Sequence, residues 1–330
     1  MAKIILLAAG LGAFLVALLL FSKSDPIGAA KVLAQGSFGS ESAINGTLRQ
    51  TMPLLLAGLA VFFSLRAGLF NIGVEGQLVV GALAAAVIAL KFPGPVGIVL
   101  AVVGSCAAGA LWAVPAGIIR AYRNGHEVIT TIMLNSVATF LTSYLVESPF
   151  KAPGQQEPTT TSLPASSQLP PLLTLGSLTV STGLVLGIVM TVALFFWLRR
   201  SVSGFELQAA GANPRAALFA GVQPKRVIVR AMAASGAIAG FAGCMQVLCT
   251  EGRFYSGFSP GYGFDALGVA LLAGGNALGV LPASLLFGAL AKGGTALQIE
   301  GVPKGITTVI LGLLIVVAAA FRYRTVKTVA

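Results

Sequence analysis

From residue 4 to residue 22 the chain carries no charged side chain, and the same holds for 92–119, 128–146, 158–198, 231–250 and 305–321. Runs this long and apolar cannot be accommodated in a domain that must present a polar surface to water. A soluble domain carries about 25% charged residues; this chain carries 9%, against 56% hydrophobic. The matching solvent is a bilayer, whose core takes about 20 apolar residues per helix. The expectation is an all-α polytopic membrane protein forming one transmembrane domain over residues 1–330. The 41 glycines fit that solvent, because helices in lipid associate through close backbone approach at small residues. Cys106, Cys244 and Cys249 all lie in apolar runs without metal-ligand spacing, and read as small buried hydrophobes.

The formal charge of +11 does not point to nucleic acid. The basic residues cluster in short segments between apolar runs, which is a topology signature, and no interleaving with aromatics forms a stacking platform. The sequence predicts about ten spans. Residues 4–22 form the first, read as a helix rather than a cleaved leader, and 23–50 an external loop with an interfacial amphipathic piece. Spans two to six fill 51–198, at 51–65, 72–90, 96–119, 128–146 and 178–198. Residues 147–177, rich in Pro, Thr, Ser and Gln, read as an extended or mobile loop. A basic segment follows at 199–230. Spans seven to ten fill 231–322, at 231–249, 266–273, 280–297 and 306–321, and 323–330 form a basic tail.

With the N-terminus in the cytoplasm, Arg66, Arg120, Arg123, segment 199–230 and the tail all fall inside, as the Lys/Arg bias requires. The loops at 23–50, 147–177 and 250–265 fall outside. Both termini are then cytoplasmic. This count treats the short 266–273 piece as a span; a merely re-entrant piece would put the tail outside. Spans two to five and seven to ten each begin with a helix, a Gly-rich break bearing an acid (Glu75; Asp265) and a small-residue helix. Their opposite directions suggest an inverted repeat with broken helices facing a solute path.

An acid inside such a membrane segment is a functional-site hypothesis. In Phe70-Asn71-Ile72-Gly73-Val74-Glu75-Gly76-Gln77, a helix starting near Asn71 would put Asn71 and Glu75 on one face and Gln77 on another. Two amides and a carboxylate suit the hydroxyls and base edges of a small, polar, uncharged solute. Equally, Asn71 could cap the helix, Glu75 could favour its first turn, and Arg66 could neutralise Glu75. Near Phe254–Asp265, the aromatics Tyr262 and Phe264 fit either an interfacial belt or a surface that stacks on a ring-shaped ligand, with Asp265 as a helix cap. Lys292 reads as snorkelling to headgroups. His126, alone of its kind, carries no assigned role.

Within 199–230, a helix beginning at Ser203 or Gly204 is interrupted from Gly211 to Pro214, and Pro214 suits the first turn of another. Phe205, Leu207, Leu218 and Phe219 give this helix–turn–helix apolar points, as a surface for docking a soluble partner would. The chain has no Gly-x-x-x-x-Gly-Lys-Ser/Thr loop and no His-Glu-x-x-His motif, so neither an ATPase of its own, a catalytic constellation, a metal centre nor a cofactor site is expected.

Three motifs in order, Leu65-Arg66-Ala67-Gly68-Leu69-Phe70-Asn71-Ile72-Gly73-Val74-Glu75-Gly76-Gln77, Gly211-Ala212-Asn213-Pro214-Arg215-Ala216-Ala217 and Gly261-Tyr262-Gly263-Phe264-Asp265 with Gly274-Gly275-Asn276, resemble ABC-transporter permeases of the branched-chain amino acid and ribose type. The form around Glu75 looks most like bacterial nucleoside-uptake permeases, over residues 45–322. The resemblance implies a multi-pass subunit of the bacterial cytoplasmic membrane. Its partners would be a second, related permease, a separate ABC ATPase and an external solute-binding lipoprotein. It implies that Phe205, Glu206, Leu207, Gly211, Asn213, Pro214 and Arg215 belong to the ATPase-coupling segment. Ribose or another polar metabolite is the alternative solute. A stand-alone secondary transporter, with Glu75 as an ion site, and an intramembrane enzyme are the rival classes.

Overall fold

The computed structural model describes residues 26–301 together with Val309 and Gly312. The expected span at 4–22, that at 306–321 apart from those two residues, and the basic tail lie outside the described residues. Helix α1 (Pro26–Phe38) is followed by α2 (Glu41–Arg66), α3 (Val74–Lys91), α4 (Pro95–Arg123) and α5 (Glu127–Glu147). A hairpin, β1 (Pro171–Leu175) and β2 (Leu178–Ser181), leads into α6 (Thr182–Arg200). Two short helices follow, α7 (Val202–Ala212) and α8 (Pro214–Phe219), and then α9 (Pro224–Gln246) with a π-helical turn at Val247–Glu251. The last elements are α10 (Tyr262–Ala273) and α11 (Val280–Ile299), joined by a short 3₁₀ turn. Seven of the described helical stretches are long and apolar enough to cross a membrane: α2–α6, α9 with its π turn, and α11 with the 3₁₀ turn before it.

Helix α2 is the hub. Every residue from Thr51 to Leu65 is buried, with α6, α9, α10 and α11 packed around it. A helix apolar on all sides belongs in the middle of a bundle. Helix α3 is held between α4 and α9, and α5 lies outside α3 and α4. Much of the surface of α4 and α5 is large and apolar, including Val99, Val103, Leu111, Ile132, Val137 and Phe140. That is how helices facing lipid or another membrane subunit are built.

Several sequence boundaries shift. The span expected at 51–65 begins ten residues earlier, at Glu41, because Ser40 caps it by accepting a hydrogen bond from the Ala43 N–H at 3.1 Å. Most of the expected external loop is therefore helical. Residues 178–181 form a strand rather than the start of the sixth span, and Ser181 caps α6 instead.

The Pro-rich loop is ordered, not loose. Its backbone is stitched to the turn after α9: Thr160 N–H to Phe254 carbonyl at 2.8 Å, Leu163 N–H to Gly252 at 2.7 Å and Leu169 N–H to Leu248 at 2.9 Å. Proline denies these residues a helix, so their donors find partners in a neighbouring loop.

Three glycines of α9 let it approach α3 and α4 at backbone distance. A Cβ on Gly240 would run into the Ser105 carbonyl of α4, and one on Gly243 into the Leu78 carbonyl of α3. Gly236 faces Gly109 in the same way. Gly240→Val should therefore force α9 away from both neighbours and destabilise the bundle by about 3 kcal/mol. Thermal unfolding in detergent should show a lower Tm; a variant melting with the wild type would refute this packing.

Candidate functional site

Helix α2 ends in a turn that reverses the chain inside the bundle. Gly68 adopts a left-handed conformation (φ +72°), and the N–H groups of Gly68 and Leu69 bond the carbonyls of Leu65 and Ser64. Glycine suits such a helix end because it has no Cβ to oppose positive φ. The chain then climbs through Asn71 to Gly73 before α3 starts at Val74. Helix α10, packed on α2 and α3, has 12 residues and so reaches about 18 Å at 1.5 Å per residue. A bilayer core is about 30 Å thick. Gly275, just past the end of α10, lies beside Arg66 at the end of α2. The start of α10 therefore lies about 18 Å from the Arg66 end, where it meets the start of α3.

Such a junction leaves helix-end backbone groups with no water to bond. Side chains take that role. Asn71 and Gln77 exchange hydrogen bonds, the Asn71 Nδ2 donating to Gln77 Oε1 at 2.9 Å and the Gln77 Nε2 donating to Asn71 Oδ1 at 3.1 Å. Asn71 Oδ1 also accepts from the Gly73 N–H at 3.0 Å, and its Nδ2 donates to Ser235 Oγ at 2.8 Å. Ser235 in turn donates to the Ala60 carbonyl of α2 at 2.7 Å. Both amides are buried, and Asn71 has used all its hydrogen-bonding positions. The expected geometry is corrected here. Asn71 precedes the helix instead of lying in its first turn, and it faces Gln77, not Glu75.

Asn135 of α5 completes the job. Its Oδ1 accepts from the Gly76 N–H and its Nδ2 donates to the Ile72 carbonyl, both at 2.9 Å. One side chain thus bridges the two sides of the break.

Glu75 points the other way, into the start of α10. Its Oε2 accepts from the Gly263 N–H at 2.6 Å, a charge-assisted bond. The Ser259 hydroxyl lies close to it and accepts from the N–H groups of Gly261 and Tyr262 at 3.3 and 3.2 Å. Glu75 sits in the first turn of α3 and contacts the first turn of α10, so two helix N-termini converge on one carboxylate. A Cβ on Gly263 would collide with the Glu75 backbone. Among the described residues Glu75 has no cationic partner. Arg66, the expected neutraliser, donates to Gln208 instead.

Asp265 is half-buried in the first turn of α10. The capping role falls to Ser259, since Gly261 occupies the cap position and offers no side chain. Tyr262 is buried and donates to Gln50 Oε1 at 3.0 Å, while Phe264 is half-exposed. Phe254 and Phe258 stack on each other at 5.0 Å between centroids and are buried. These two serve the core rather than a ligand. Above Gln50, a cavity of about 660 Å³ opens away from the Arg66 end, lined by Asn45, Arg49, Gln50, Glu251 and Lys292 among others.

The basic segment folds as two helices meeting at Asn213. Asn213 Oδ1 caps α8 by accepting from the N–H groups of Arg215 and Ala216, each at 3.1 Å. The helix before it continues through Gly211 to Ala212, so the interruption is narrower than Gly211–Pro214. Phe205, Leu218 and Phe219 are exposed, as are Asn213, Pro214 and Arg215, and Glu206 is half-exposed. Leu207 is buried in the main core. It anchors α7 from the inside, contrary to the expectation that it faces outward.

Sequence reasoning passed over Asn135, Ser235, Ser259 and Gln208. A polar residue inside an apolar span was a usable signal for the first two; their partners come from distant segments and leave no local pattern.

The family described as branched-chain amino acid transport system permease component matches residues 43–319. The chain is 39% identical over 296 residues to the guanosine ABC transporter permease protein NupP of Bacillus subtilis, covering 87% of this chain and 84% of the relative. It is 35% identical to the glucose ABC transporter permease protein TsgB13 of Haloferax volcanii, over 88% of this chain and 80% of that one. The nucleoside ABC transporter permease protein NupB of Lactococcus lactis is 33% identical, over 88% and 83%. The guanosine ABC transporter permease protein NupQ of Bacillus subtilis and the nucleoside ABC transporter permease protein NupC of Lactococcus lactis are each 25% identical to the chain, over 74% and 72% of it. No solved structure matches.

Removing the Asn135 side chain should leave the Gly76 N–H and the Ile72 carbonyl without partners at the break. Asn135→Ala is expected to cost about 2 kcal/mol of stability and to lower Tm in detergent. An unchanged Tm would mean that the break does not depend on this amide.

Proposed function

The chain belongs to the family of branched-chain amino acid transport permease components, and from that premise we propose that it is the membrane path of an ATP-driven importer of nucleosides. The observation that carries the solute class is the 39% identity, across most of both chains, to a guanosine permease. The protein supplies a path and a movable helix packing rather than bond chemistry. ATP hydrolysis belongs to a separate ABC ATPase, and an external lipoprotein receptor delivers the solute. In both Bacillus subtilis and Lactococcus lactis two permeases of unequal similarity resemble the chain. That pairing supports a heterodimer with a second, related permease.

In this reading segment 199–230 and both termini are cytoplasmic, and the cavity above Gln50 faces the receptor. Counting 4–22, 306–321 and the half-span α10, the chain crosses the bilayer of the bacterial cytoplasmic membrane ten times. The pairs α2–α3 and α9–α10 are inverted counterparts whose broken second helices meet at mid-depth. Glu75, Tyr262, Phe264 and Asp265 border the solute path there, while Asn71 and Gln77 hold its wall. The ATPase docks on Phe205, Glu206, Asn213, Pro214 and Arg215 together with Phe219, and Leu207 and Gly211 hold this surface from behind. A glucose permease at 35% identity supports a sugar as the second reading. Uptake of labelled guanosine by cells with the full transporter decides between them: competition by unlabelled nucleosides but not by glucose or ribose is expected, and competition by glucose alone would overturn the assignment.

Replacing Asn213-Pro214-Arg215 by Gly-Ser-Gly removes the cap and the fixed φ that start α8. The variant should reach the membrane in normal amounts but lose guanosine uptake by at least about tenfold, equivalent to about 1.4 kcal/mol of coupling. Normal uptake with normal ATPase co-purification would sink the docking assignment.

A further inference from the structure

Two backbones touch where the α7–α8 unit meets the membrane bundle. A Cβ on Gly211 would stand 2.5 Å from the Arg66 carbonyl oxygen, 2.6 Å from the Ala67 carbonyl carbon and 2.7 Å from the Gly68 nitrogen. From the other side, a Cβ on Gly68 would stand 2.8 Å from the Gly211 carbonyl oxygen. Gly68 has a conformational reason to be glycine, its φ of +72°. Gly211 has none, since it lies in the last turn of α7 without a positive φ. Contact with the α2–α3 turn is what excludes a side chain there.

A polar tie reinforces the contact. Arg66 donates to Gln208 Oε1, one turn before Gly211, and Gln208 Nε2 donates to the carbonyls of Leu198 at 2.7 Å and Gly204 at 3.1 Å. The end of α2, the end of α6 and α7 therefore meet on one amide. The other attachments of the α7–α8 unit are apolar: Leu207 is buried in the main core, and Ala210, Ala217 and Val222 pack on Val227 of α9. Apolar side chains can change rotamers and slide. Two backbones at closest approach either move together or separate.

Beyond Gly68 the chain runs five residues to Gly73, and Asn71 on the way is fixed to Gln77 and Ser235. Two residues past Gly73 stands Glu75, bonded to Gly263. We propose that Gly211 and Gln208 are positioning residues forming a joint, which transmits movement of the α7–α8 unit through the Gly68 turn to the junction of α3 and α10. The inference rests on the reading of 199–230 as the ATPase-docking segment, and it adds the route by which that segment acts.

Gly211→Ala tests it without removing any exposed group, and alanine favours the helix. In proteoliposomes holding the complete transporter, the variant should still assemble with the ATPase and hydrolyse ATP. Guanosine moved per ATP should fall about tenfold, within the range by which residues between coupled sites modulate coupling. Gln208→Ala, which adds no bulk, should lower the same ratio to a smaller extent. A Gly211→Ala transporter with the wild-type ratio overturns the joint. Loss of the ATPase from that variant also overturns it, because Gly211 would then be a docking residue. If Gly211→Ala does not accumulate, Gln208→Ala decides, and an unchanged ratio refutes the proposal. Uptake by the wild type without any ATPase is a separate failure: it removes the importer reading and the joint with it.

Discussion

Helix ends buried inside a bundle need a substitute for water, and the arrangement around residues 67–77 depends on that need. Each unsatisfied backbone group there would cost several kcal/mol. Asn71, Gln77, Ser235 and Asn135 supply the missing donors and acceptors from three different helices and the break itself. The same bonds fix the direction in which α3 leaves the break. Glu75 is consequently delivered to the first turn of α10, and Gln77 is turned back toward Asn71. The polar residues are the reason the chain can break inside the bundle at all.

Close backbone contacts frame the break on every side. Gly243 and Gly240 bring α9 against α3 and α4, Gly263 brings α10 against Glu75, and Gly211 brings α7 against the α2–α3 turn. Contacts of this kind have little compliance, because no side chain lies between the backbones to adjust. A displacement of α7 is therefore more easily passed on than absorbed. The exposed apolar side chains of α4 and α5 lie on the opposite side from this framework in the packing order, with α3 between α5 and α9.

What could be read from the sequence is what depends on neighbours in the chain. The apolar runs gave α3, α5 and α11 to within two residues, whereas α9 starts at Pro224, seven residues before its apolar run, and α4 runs on to Arg123; Asn213-Pro214 marked the start of α8 because a cap and a first-turn proline act within a few residues. The family could be identified from its motifs. The pairing of Asn71 with Gln77 was hidden because a helical-face argument assumes an unbroken helix, and the helix begins three residues after Asn71. Asn135 and Ser235 were overlooked since their partners lie in other spans. The order of the 147–177 loop escaped for a related reason: its composition describes the unpaired chain, whereas Thr160, Leu163 and Leu169 find partners around residues 248–254. Leu207 was misplaced outward because burial depends on where α7 docks, not on its own short pattern.

The carboxylate at position 75 restricts how the junction can open. Closed, it holds the Gly263 N–H and the Ser259 side chain, with two helix dipoles pointing at it. Any separation of α3 from α10 takes the Gly263 N–H away from that carboxyl group, in a setting where an unpaired polar group is expensive. Something must replace it as the gap forms. A hydroxyl-rich solute brings donors of its own, as does water, but an apolar molecule does not. A ligand shifts an equilibrium only through its different affinity for the two states, and donors offered to Glu75 are such a difference. A group that brings donors to Glu75 would in this way favour a parted junction.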